Sequence, residues 1–193
     1  MSRRIQRATL EPVRRSVWQR AAGIARILGV AALFAVGSAH AATQPPLKKL
    51  LMLDFELVDD QQDVVPFPEK ETRLAMVSQR LREALIEEKL YDVIDNAPVA
   101  QMIRTEAARQ SLLRCNGCEL DIARKAGVDR ILLAWVQKTS NLILNVNIEI
   151  RDATTGQVVL VKSVDLRGNT DQSWQRGIDF IVRGMVLEKQ GNR

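Results

Sequence analysis

Residues 141–151, Asn-Leu-Ile-Leu-Asn-Val-Asn-Ile-Glu-Ile-Arg, alternate almost without a break. Leu142, Leu144, Val146, Ile148 and Ile150 fall on one side, and Asn141, Asn145, Asn147, Glu149 and Arg151 on the other, where only Ile143 is apolar. Side chains of a strand point to opposite faces with period two, so the stretch predicts a β-strand with one dry and one wet face. Asp152-Ala153-Thr154-Thr155-Gly156 follows as a hairpin turn in which Gly156 supplies the positive φ. Val158 to Leu166 then returns as the partner strand.

Reading outward, residues 129–138 carry Ile131-Leu132-Leu133-Ala134-Trp135-Val136, an internal strand. Leu50-Leu51-Met52-Leu53-Asp54-Phe55, within Lys48 to Leu57, is a second apolar run covered on both faces, and Tyr91 to Asp95 a short strand. Helices alternate with them. Leu74, Val77, Leu81 and Leu85 form one stripe of a helix from about Glu71 to Leu90, after a polar loop over 58–69. A second helix runs from an Asn96 cap and Pro98 to about Gln110, with Val99, Met102, Ile103 and Ala107 inward. A shorter one covers 119–126 and ends at Gly127. Trp174, Ile178, Ile181, Val182 and Met185 line a last helix over 171–188. The order βαβααβββα predicts one α/β (α+β) domain over 48–188, a single mixed five-stranded sheet flanked by helices, with a flexible lead at 42–47 and a tail at 189–193.

Residues 1–41 have the parts of a secretory signal: seven arginines, the apolar run Ile27 to Val36, and small residues at Ala39 and Ala41. Cleavage is expected between Ala41 and Ala42. The apolar core is shorter than the roughly 20 residues a bilayer span requires. Paired arginines in so basic a segment do not by themselves mark the twin-arginine route. Seven arginines and Glu11 leave with the signal, which reduces 28 basic and 23 acidic residues to 21 and 22, a formal charge of −1. The basicity of the whole chain therefore belongs to the export segment and gives no reason to expect nucleic acid as a partner. His40, the sole histidine, also leaves. Ser-His-Asp and Cys-His mechanisms are thereby excluded, and so is the commonest metal ligand. No cysteine lies at the cleavage site, so neither a lipid anchor nor a membrane span is expected in the mature chain.

Cys115-Asn116-Gly117-Cys118 is the one local motif with chemistry. A structural disulfide is preferred, because nearby thiols pair in an oxidising compartment and Asn-Gly suits a tight turn. Two alternatives stand beside it. A redox-active dithiol is one, although no long helix follows the motif and no tryptophan adjoins it. A metal site completed by Glu119 or Asp121 is the other. No cofactor is expected.

Arg167, Asn169, Thr170, Asp171 and Arg176 surround the start of the last helix, and helix N-termini hold anions. They are a candidate anion or partner contact, against the plainer reading of Asn169, Thr170 or Asp171 as a cap with Trp174 in the core. Asp54 closes a central strand, where open α/β sheets bind ligands. Without a glycine-rich loop after it, Asp54 reads as a loop anchor.

The frame Leu50 to Phe55, then Leu90-Tyr91-Asp92-Val93-Ile94-Asp95, then Ala126-Gly127-Val128-Asp129 before an internal strand resembles small exported bacterial proteins of unknown function. Their fold is similar to the amino-terminal domain of TolB and to CsgG-type envelope proteins. The resemblance spans about residues 48–188, rests on strand ends and helix termini, and brings no active site. TolB continues into a β-propeller that this chain lacks. The resemblance implies a periplasmic or secreted setting and a fold used for protein contacts. Together these readings predict a non-enzymatic interaction or accessory protein of the envelope with a protein partner. The runners-up are a thiol-redox accessory using Cys115 and Cys118, and a small-ligand sensor at the strand carboxyl ends.

Overall fold

A computed structural model describes residues 45–60 and 67–191. The expected signal and its Ala41–Ala42 junction lie outside the described residues. Six strands, β1 (Lys49–Met52), β2 (Glu56–Asp59), β3 (Asp92–Val93), β4 (Arg130–Lys138), β5 (Ile143–Asp152) and β6 (Val158–Arg167), form one mixed sheet. Four helices join them: α1 (Lys70–Glu87), α2 (Ala100–Ala107), α3 (Cys118–Ala126) and α4 (Asp171–Gly191). The strand order is β3-β1-β4-β5-β6, with β2 also paired to β4. Strands β1, β2 and β3 pair in parallel and β4–β5–β6 antiparallel.

The α/β class is as the periodicities predict. The strand count differs by one because the expected first strand is broken. Leu50, Leu51 and Met52 pair with Arg130, Ile131 and Leu132, whereas Glu56 pairs with Trp135. Three residues, Leu53 to Phe55, thus oppose two on β4, a one-residue bulge. The extra residue reverses the facing. Met52 points to one layer of helices, Glu56 to the opposite side, and Leu57 back toward the first. The broken ladder is repaired by side chains. Phe55 N–H donates to Ser78 Oγ at 2.9 Å, and the Met52 carbonyl accepts from Asn96 Nδ2 at 2.9 Å and Arg82 at 3.3 Å. Asn96 holds the N-cap position of the turn that follows, but its side chain makes no cap bond; Asp95 Oδ1 accepts the Ala97 N–H at 2.9 Å. A 3-10 turn, Ala97–Val99, precedes the shortened α2.

Two further boundaries move. Leu142 precedes β5 and is 80% exposed, so the dry face comprises Leu144, Val146, Ile148 and Ile150. Helix α4 continues to Gly191, through most of the expected tail.

The two faces of the sheet are covered unequally. Helices α1 and α4 lie on one face over Leu50, Met52, Leu132, Ala134, Val136 and the dry side of β5, around a fully buried Trp174. Far along this face Lys138, fully buried, meets Asp59 at 3.0 Å. Helices α2 and α3 cover Leu51, Leu53, Ile131 and Leu133 on the other face. Lengths explain the difference. At 1.5 Å per residue α1 and α4 are about 27 and 31 Å long, and α2 and α3 about 12 and 13 Å. The ten-residue strands β5 and β6 run about 33 Å, so the second layer ends part-way along the sheet.

Candidate functional site

The uncovered half of the second face is built by register. Trp135, Asn147 and Ser163 form one row across β4, β5 and β6, and Gln137, Asn145 and Asp165 the next. Trp135, Gln137, Asn145 and Asn147 are half-buried, and Ser163 and Asp165 exposed. Asn147 Nδ2 donates to Asn145 Oδ1 at 2.7 Å, which aligns the two amides. A cleft of about 210 Å³ opens beside Trp135, floored by Leu133, Gln137, Glu149 and Arg151 and walled by Leu113 and Arg114.

The wall is the segment that carries the cysteines. Cys115 and Cys118 are disulfide-bonded, with Asn116 at φ 52° and Gly117 at φ 113° making the turn between them. The left-handed backbone explains why Asn-Gly stands there. Cys118 opens α3. Glu119, 3% exposed, is the hub: one oxygen accepts from Gly117 N–H at 3.0 Å and lies 3.2 Å from Cys115 Sγ, and the other pairs with Arg151 at 2.7 Å. Arg151 also pairs with Glu149 on the open face. Below, Glu56 accepts from the Ser111 hydroxyl and from Leu112 N–H at 2.8 Å. Glu56 of β2 and the pairing of Glu119 with Arg151 of β5 thus tie residues 111–119 to the sheet. Cys115, Cys118 and Glu119 lie within 4.8 Å of one another at their ligand atoms, but joined sulfurs offer no thiolate, so the trio is a ligand set only after reduction.

The residues around the last helix divide. Asn169 Oδ1 accepts from Trp174 Nε1 at 3.0 Å and from Arg73 at 2.8 Å, and Asp171 accepts from Arg73 at 2.6 Å. Thr170 Oγ1 accepts Ser173 N–H at 3.2 Å. These three cap and staple the helix. Arg167 and Arg176 stand apart from them and share a groove beside β6. Asp54 projects at the bulge, 3.7 Å from Arg82, beside Asn96, whose Oδ1 is buried with no partner among the described residues. Sequence reasoning misses Trp135 as a site residue and weighs Glu119 only as a possible metal ligand. Trp135 reads as core until the short α3 leaves it uncovered, and Glu119 is placed by Gly117 N–H and Arg151.

A family model described as protein of unknown function (DUF2380) matches residues 48–186. The chain belongs to that family. No curated protein matches this member. Among solved structures the family member is similar to the LpoB C-terminal domain from Escherichia coli, at 14% identity and TM-score 0.47, over 65% of this chain and 87% of that one. The PelC dodecamer from Paraburkholderia phytofirmans is similar at 14% identity and TM-score 0.45, over 72% and 87%. TolB from Acinetobacter baumannii follows at 9% and 0.41, over 74% of this chain and 29% of that one. At these scores none bears on what this chain does. No helix among the described residues is long and apolar enough to cross a membrane.

Proposed function

We propose that this chain is an exported, non-enzymatic accessory protein of the bacterial envelope, and that it works by docking a protein partner on the uncovered half of its sheet around Trp135. The observation that carries the reading is the wet face itself. A half-buried indole lies among aligned amides on a rigid sheet, bordered by the Glu149–Arg151–Glu119 ion pairs. Large aromatic side chains and arginines on a pre-organised surface dominate binding energy at protein interfaces, and flanking polar groups set orientation. The disulfide supports the export half of the reading, since such bonds persist in oxidising compartments.

Affinity purification after cross-linking in intact cells tests it. The wild-type chain is expected to recover one defined envelope protein, and Trp135→Ala to lose it while expressing normally. Recovery of the same protein by Trp135→Ala, or of none by the wild type, contradicts the reading.

A further inference from the structure

A second surface lies at the edge of the sheet, independent of the Trp135 face. We propose that the groove between the open edge of β6 and helix α4 binds an acidic polypeptide segment in extended conformation, which adds to the sheet as a further strand. Strand β6 pairs only with β5, so over ten residues its other side has no ladder partner among the described residues. The groove, about 320 Å³, is lined by four consecutive strand residues, 164–167. Alternate side chains point to opposite faces, so four in succession can line a groove only along the strand's edge. Its other bank is α4, held close because Gly177 has no side chain. A Cβ there would stand 2.6 Å from Leu166 Cδ2. An edge strand beside a helix is the geometry in which extended peptides are captured by strand addition.

The charge names the occupant. Arg176, Phe180 and Arg183 fall at i, i+4 and i+7, one stripe of α4 facing the groove, and Arg167 ends the strand opposite. Phe180 is 58% exposed, with the Arg183 guanidinium 5.9 Å from its ring centre. Among the described residues no ion pair engages Arg167, Arg176 or Arg183. Of the two carboxylates at the groove, Asp179 is neutralised by Arg80 at 2.8 Å, which leaves Asp165 alone against three guanidiniums. A second copy of β6 fits poorly here, because beside Lys162, already paired with Glu188, it sets a further Arg167 against a single Asp165 at a positive site. A segment alternating apolar residues with aspartate or glutamate satisfies the edge hydrogen bonds, the Phe180 ring and the guanidinium forks together.

A library of random octapeptides, displayed on phage and selected on the full chain, tests this. The enriched sequences are expected to alternate apolar and acidic residues. A synthetic copy of the commonest should shift backbone amide signals of residues 159–167. Arg176→Glu/Arg183→Glu should weaken it by about tenfold or more and bind the same peptide with lysine in place of its acids. Near-UV circular dichroism and the milder Arg176→Gln/Arg183→Gln pair check that the fold is intact. Four results overturn the proposal: no enrichment, enrichment without acidic excess, signals shifting elsewhere, or undiminished affinity in the charge-reversed chain. Self-association of the wild type that the charge reversal abolishes would replace the acidic segment with a second copy.

Discussion

One sheet presents two faces that differ in how far they are covered. Under α1 and α4 the face is covered along its length, centred on the fully buried Trp174 and closed by the buried Lys138–Asp59 pair. Under α2 and α3 only β1 and the first half of β4 are dry, and the face then carries Trp135, Gln137, Asn145 and Asn147 toward water. The two tryptophans make the contrast direct. Trp174 has a full shell and a hydrogen bond from its indole N–H to Asn169. No hydrogen bond engages the Trp135 indole among the described residues. The larger buried cluster lies on the first face, and part of the second stays open to solvent.

The largest expected effect breaks the contrast at the tryptophans. Trp174→Ala leaves a cavity in a sealed layer and should cost about 3–5 kcal/mol in urea unfolding. Trp135→Ala, on the open face, should cost about 1 kcal/mol or less. Equal losses would mean that the second face is also core.

A smaller effect sharpens the border between the two halves of the second face. Replacing Cys115 and Cys118 with serine removes a cross-link closing a very short loop, worth about 2 kcal/mol in the chain-entropy model. Residues 111–119 remain clamped by Glu56 and Glu119, so amide exchange should quicken there and stay unchanged in α1 and α4. Faster exchange across the whole sheet would show that the disulfide supports more than the local wall.

The smallest expected effect lies at the β5–β6 turn. The N–H groups of Thr155 and Thr154 and the nearby Arg130 hold the Asp152 carboxyl below the usual aspartate range. Its charged form is thus favoured in the folded state. The corresponding stability is present above the unfolded-state value and is lost as pH falls through the folded one. Thermal melts from pH 6 to pH 3 should therefore fall more steeply for the wild type than for Asp152→Asn. Parallel curves would remove the turn from the acid sensitivity.

Much of this architecture can be read from local pattern. Period two over 143–151, the stripes of α1 and α4, and left-handed glycines at 127 and 156 each state their element within a dozen residues. What cannot be read is set at long range. The bulge at Leu53 to Phe55 exists only relative to β4, nearly 80 residues away. Lys138 reads as the polar end of a strand, yet it is buried because Asp59, 79 residues earlier, returns beside it. Asn96 looks like a side-chain cap until the broken β1 carbonyl at Met52 claims its amide. Trp135 shares the parity of Leu133, and parity cannot say where a covering helix stops.

The unequal coverage of the sheet is tested most directly by a photo-activated cross-linking residue placed at Asn147, on the open face, and at Gln79, on the exposed side of α1. After irradiation of intact cells, Asn147 should yield one discrete adduct with an envelope protein, and Gln79 none. Adducts of equal yield from both positions, or none from Asn147, would contradict a working surface on the uncovered half.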